Sequence, residues 1–186
     1  MNPKHVGNKF EQFIELQLRD YLVTGIAEIK KENDSRNYRK KLGADLSGGT
    51  RIFKNNALKN YTYIAIELKT TGAHFLNIKQ NIKENQLNHL KRTVIAGGIA
   101  FYLVEFRKFN KIVRLDITKE EVKNETKELN CLLGYVNQNM TSIMYEDIKN
   151  KFINKKIFEA NILPVDFLEV GNTIYQDFYK LNLLRI

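Results

Sequence analysis

Glu67 and Lys69, in the segment YTYIAIELKT (61–70), are the pair in this chain best suited to chemistry on a phosphate. Side chains alternate along an extended strand, so these two share a face with roots about 6–7 Å apart. Thr62, Ile64, Ile66 and Leu68 form the other, apolar face. A lone Glu-x-Lys also describes an exposed ion pair on a solvated strand edge, so its meaning depends on its company. Asp45 lies in LGADLSGGT (42–50), where Ala44 and Leu46 place it at the edge of a strand. The glycines around it allow tight backbone, and an aspartate in that setting is also a common turn residue. Glu11 lies on a helix predicted over 8–23, and Gln86 on a helix predicted over 78–94.

The chemistry gives each of these a part. Cleaving a phosphodiester calls for a hard cation that polarises the phosphate and lowers the pKa of a water. Mg²⁺ takes oxygen ligands and keeps several waters, so two carboxylates and an amide oxygen are enough, and Mn²⁺ is a plausible substitute. A lysine beside the acids can orient the attacking water or stabilise charge building on the phosphorus. The three histidines fit less well: His5 is near a terminus, His74 in a predicted turn and His89 on a core-facing helical face.

The elements follow from periodicity. In 8–23, Phe10, Phe13, Ile14, Leu18, Tyr21 and Leu22 recur at helical spacing. At about 100° per residue, Glu11 falls between Leu18 and Leu22 and Glu15 at the border of the stripe. A carboxylate there either pairs with a lysine or faces a metal site, since burying it alone is costly. Gly25 ends the helix, and 26–32 reads as a first strand. The polar loop 32–41, ENDSRNYRKK, gathers Arg36, Arg39, Lys40 and Lys41, either as a solvated loop or as a basic arm on a phosphate backbone. A hairpin of 51–53 with 61–70 spans the polar KNNALKN. In 78–94, Gln86 shares a face with Ile78, Ile82, His89, Leu90 and Thr93, as a buried amide needing partners or as a cap on a backbone group. IAFYLVEF (99–106) reads as a central strand covered on both faces, with 112–117 its neighbour. Thr118 and Glu121 form a capping-box pattern before a helix reaching about 129. Residues 130–141 give no clear signal, 142–152 read as a helix, and 162–170 as a terminal extended segment with Pro164. The fold class is α/β: one domain over 1–186, a central mixed sheet flanked by helices.

Thirty Lys and Arg against 21 Asp and Glu leave a net charge of +9, which suits a polyanionic partner. The single cysteine, Cys131, excludes an internal disulfide and a cysteine-cluster zinc site, and reads as a small buried residue. No apolar run is long enough for a signal peptide or a membrane span, so no membrane association and a cytoplasmic location are expected.

Taken in order, these pieces resemble the RecU-type Holliday junction resolvases of the PD-(D/E)xK nuclease superfamily. GNKFEQFIE and YLVTGIAEIKK are similar to the family's opening helix and strand, GADLSG to its Asp-centred strand, and IAIELKTT to its Glu-x-Lys strand. ENQLNHL and GGIAFYLVEF resemble its next helix and strand, and SIMYEDI with LPVDFLEV resembles its C-terminal stretch. The resemblance implies a restriction-endonuclease-like fold and a homodimeric, Mg²⁺-dependent endonuclease that nicks four-way DNA junctions symmetrically in recombination and repair. It assigns Asp45, Glu67 and Gln86 to the metal, Lys69 to the transition state, and Glu11 to support of the site. Two departures stand out. Gly43 replaces a threonine two residues before the aspartate and offers only a backbone oxygen. The family's stalk is shortened to 32–43, leaving Arg39, Lys40 and Lys41 as its basic cluster. A junction-binding protein that does not cut, and an endonuclease of ordinary duplex DNA, are the competing readings; partners such as recombination proteins stay open.

Overall fold

The computed structural model describes residues 3–32, 43–54, 57–160 and 167–168. Helix α1 (Pro3–Val23) leads into β1 (Ala27–Lys31), then the long hairpin of β2 (Leu46–Lys54) and β3 (Ala57–Thr71). Next come β4 (Phe75–Asn77), α2 (Ile78–Asn81) and α3 (Glu84–Ile95), then β5 (Ile99–Phe106) and β6 (Lys111–Asp116). The chain continues through α4 (Lys119–Lys123), α5 (Leu132–Asn137), β7 (Ser142–Met144), α6 (Tyr145–Lys151) and β8 (Lys155–Glu159).

Six strands form one mixed sheet in the order β1-β2-β3-β5-β6-β8, and β4 pairs with β7 in a second, two-stranded sheet. All neighbours in the large sheet are antiparallel except β3 and β5, which run parallel. A parallel pair needs a crossover, and here it passes through α3. β3 and β5 therefore sit in the middle of the sheet with helices on both faces. On one face, Phe10, Ile14, Leu18 and Tyr21 of α1 pack on Ile29, Leu46, Ile64, Ile66, Phe101 and Leu103. On the other, Leu87, Leu90 and Val94 of α3 pack on Ala65, Tyr102, Val104 and Leu115. Phe167 closes the first face: its ring meets Tyr21 edge-on at 5.2 Å, and its carbonyl accepts a hydrogen bond from Arg114 Nη1 at 2.7 Å.

Local signals hold at several joints. α1 ends in a Schellman motif: Ile26 N–H reaches Tyr21 O and Gly25 N–H reaches Leu22 O, with Gly25 at φ 71°. Thr118 and Glu121 make both halves of the capping box at α4. Cys131 is buried, and its sulfur accepts the Gly134 amide at the start of α5.

Other expectations need correction. The stripe of α1 is centred on Phe10, Ile14, Gln17 and Tyr21, so Leu22 at its margin is 53% exposed. KNNALKN is mostly strand, because β2 and β3 extend to Lys54 and from Ala57. The 78–94 helix is two helices, broken where Ile82 and Lys83 turn extended. Asn77 caps the first by accepting the Gln80 amide, and the break lets α3 set its own inward face of Gln86, Leu87, Leu90, Thr93 and Val94. α4 stops at Lys123 rather than near 129. The start of 142–152 is strand β7, which needs β4 as its partner, before α6 begins. Of the expected segment 162–170, only Phe167 and Leu168 are described, in a turn; the rest lies outside the described residues.

Gly25 holds a left-handed conformation, and a Cβ there would meet nothing within 4 Å. Gly25→Ala should therefore cost about 1 kcal/mol from backbone strain alone, read as a lower urea midpoint with an unchanged m-value.

Candidate active site

Strand register builds the site. Leu46 pairs with Ile66 across β2 and β3; one further residue along, Asp45 stands opposite Glu67. Glu67 in turn pairs with Tyr102 across the parallel β3–β5 ladder. Asp45, Glu67 and Tyr102 thus form a row across three strands, all on the face covered by α3. β2 starts only at Leu46, so the Leu68 amide meets a side chain, donating to Asp45 Oδ2 at 2.9 Å.

Glu67 has no exposed surface, so the exposed ion pair on a strand edge is ruled out. Lys69 Nζ lies 2.6 Å from Glu67 Oε1 and 3.3 Å from Gln86 Oε1. The Gln86 amide donates to that same Glu67 Oε1. Gln86 reaches the pair from the first turn of α3, buried as its place on the inward face predicts. Glu67 Oε2 is buried and has no hydrogen-bond partner among the described residues. Burial pushes the Glu67 pKa up to about 7; Lys69 opposes that rise, while the charge of Asp45 adds to it.

This donor set fits a hard divalent cation. It offers two carboxylates and an amide oxygen, with no sulfur or imidazole, as Mg²⁺ or Mn²⁺ prefers. With both acids ionised, two carboxylates against one lysine leave the cluster net negative, and Oε2 is an acceptor without a hydrogen-bond partner among the described residues. Among the described residues no group of three or more His, Cys, Asp or Glu is placed to hold a metal. The fit therefore rests on two acids, the amide and waters.

Glu11 is placed elsewhere. It is half-buried, its Oε2 accepts from Lys31 Nζ at 2.5 Å, and Glu15 lies 3.6 Å from the same ammonium. Lys31 pairs with Leu46 and so belongs to the α1 face of the sheet, opposite the face that carries Glu67. The structure brings Asp45, Glu67, Lys69 and Gln86 together and gives Glu11 to Lys31. Arg36, Arg39, Lys40 and Lys41 lie outside the described residues. Gly43 is buried, and a Cβ on it would collide with the Glu32 carboxylate, which Ser47 Oγ holds at 2.5 Å. The space a side chain at 43 would fill is taken by Glu32.

Tyr102 and Glu32 were not singled out from the sequence as site residues. Counting register outward from Glu67 would have reached both, but that requires knowing which strands pair. His74 is exposed, and His89 is partly buried on α3 with no hydrogen-bond partner for Nε2 among the described residues.

Two acids and a lysine on adjoining strands of a mixed sheet, with helices on both faces, are compatible with the restriction-endonuclease-like class of nuclease fold. Over residues 5–173 the chain matches the family described as RecU: Recombination protein U, and it belongs to that family. The family is one of recombination nucleases that resolve Holliday junctions. No curated protein matches the chain in sequence. No helix among the described residues is long and apolar enough to cross a membrane.

The raised Glu67 pKa sets a pH dependence. A carboxyl that holds its proton more tightly when folded stabilises the fold fully below the unfolded pKa near 4.5, and that stability is lost as pH rises through about 7. Without divalent cation, the parent should lose on the order of 3 kcal/mol across that window. Glu67→Gln should flatten this segment of the curve, measured by urea unfolding at a series of pH values in EDTA.

Proposed function

We propose that this chain is a Mg²⁺-dependent endodeoxyribonuclease that nicks four-way DNA junctions symmetrically, as a homodimer, in recombination and repair. The observation that carries the reading is the buried Glu67, whose Oε2 has no partner among the described residues, set beside Asp45 and Lys69. Asp45 and Glu67 would hold Mg²⁺, which would supply the positive charge that polarises the phosphate and acidifies a water. Gln86 and Lys69 both bond to Glu67 Oε1, while Oε2 has no hydrogen-bond partner among the described residues. The Gln86 oxygen, which accepts from Lys69, would complete the oxygen set. The Lys69 side chain is 13% exposed, where that of Glu67 is fully buried, so the lysine lies on the solvent side of the pair. There it stabilises the negative charge that develops on the phosphoryl oxygens as water attacks and the P–O bond breaks. Glu11 pairs with Lys31 on the opposite face of the sheet and has no part in this chemistry.

A four-way junction has two-fold character, and a two-fold homodimer presents one such site to each of two strands. Arg36, Arg39, Lys40 and Lys41 are proposed to hold the DNA backbone, in keeping with a net charge of +9.

The deciding experiment is a cleavage assay on synthetic four-way and linear DNA with and without Mg²⁺. The parent should nick the junction in paired positions, and Asp45→Asn and Lys69→Ala should each lose about 100-fold or more. Junction binding without cleavage at any Mg²⁺ concentration would overturn the catalytic assignment, and equal cleavage of linear duplex would overturn the selectivity. Replacing Arg39, Lys40 and Lys41 together by alanine should weaken junction binding and reduce the slope of log affinity against log salt by roughly 2–3.

A further inference from the structure

Tyr102 lies in the middle of β5, with no exposed surface. Its neighbours in the strand, Phe101, Leu103 and Val104, are apolar and equally buried. A phenylalanine would pack there as well. The tyrosine adds one hydroxyl, and burying a hydroxyl without a partner costs on the order of 1–3 kcal/mol. Among the described residues, two buried side-chain oxygens have no hydrogen-bond partner: Tyr102 Oη and Glu67 Oε2. They belong to residues paired across the β3–β5 ladder, on the same face. One is a donor and the other an acceptor. A phenol keeps its proton at neutral pH, so it is a donor.

We propose that Tyr102 is a positioning residue of the metal site: its hydroxyl donates, through one water, to Glu67 Oε2 and so fixes the oxygen that faces the cation. The link spans a water because neither oxygen has a direct protein partner. Gln86 and Lys69 fix Oε1 and Tyr102 fixes Oε2, so the carboxylate is held from both sides. The inference rests on the metal-site reading above and adds a residue to it.

The test compares the parent, Tyr102→Phe and Asp45→Asn. Mn²⁺ affinity is measured by calorimetry without DNA, alongside kcat for junction cleavage at saturating Mn²⁺. The Phe variant should bind Mn²⁺ about 10-fold more weakly or worse, as expected when a partner of a metal ligand is removed. Its kcat at saturating Mn²⁺ should return to near the parent's, and its metal-free urea midpoint should not fall. The chain contains no tryptophan, so sensitised Tb³⁺ luminescence reports tyrosine near the ion, and the Phe variant should lose more than half the emission at saturation. Parent-like affinity and emission in the Phe variant overturn the role of Tyr102 and leave the metal site standing. A parent that binds no Mn²⁺, or an Asp45→Asn variant that binds as the parent does, overturns the metal site itself. If the Phe variant does not fold, a crystal structure of the Mn²⁺-loaded parent decides: Tyr102 Oη bonded to a water shared with Glu67 supports the proposal, and Oη bonded elsewhere overturns it.

Discussion

A carboxyl with no contact with water must either keep its proton or be met by something positive, and the position of Glu67 imposes that need on the elements around it. The parallel β3–β5 pair puts Glu67 in the centre of the sheet, beneath α3. One lysine two residues on and one amide from α3 answer one of its oxygens. Asp45 works against them, because a second acid across the ladder raises the cost of ionising the first. With both acids ionised, two carboxylates face one lysine, and burial together with that imbalance keeps the Glu67 proton in place up to about pH 7.

Much of this was legible from the chain alone. The alternation of 61–70 put Glu67 and Lys69 together on one face, and the continuous apolar run of 99–106 marked β5 as doubly covered. Helical periodicity turned Gln86 inward. What stayed hidden depends on partners distant in sequence. β4 and β7 are three residues each and exist only as a pair, so neither carries a pattern of its own. β8, KKIFE, is half-buried along its length and lacks clear alternation. The α2–α3 break has no glycine or proline to announce it. Gln17 is fully buried at the centre of the α1 stripe, and a reading that counts only apolar residues shifts the stripe towards Leu22 and Glu11.

The margin of the site is packed by Glu32 and Ser47. Where Gly43 stands in place of a side chain, the Glu32 carboxylate fills the space and is held by Ser47. The Glu32 amide also continues the β1–β2 ladder by one bond to the Asp45 carbonyl, which ties the Asp45 backbone to the strand beside it. On the other face, the Lys31 pairing with Glu11 and Glu15 pins α1 to the end of β1. That contact is partly exposed and adds little stability by itself; its effect is to orient the helix.

The β2–β3 register has a further consequence. Asp45 and Leu46 are adjacent, so they point to opposite faces: one towards Glu67, the other into the α1 core. Slipping β2 by a single residue would exchange them, placing a leucine against the acids and an aspartate in the apolar layer. The arrangement that assembles the two carboxylates is therefore the one that buries the core correctly. A chain with β2 out of register has no paired acids. Hydrophobic packing therefore selects the register that assembles the site.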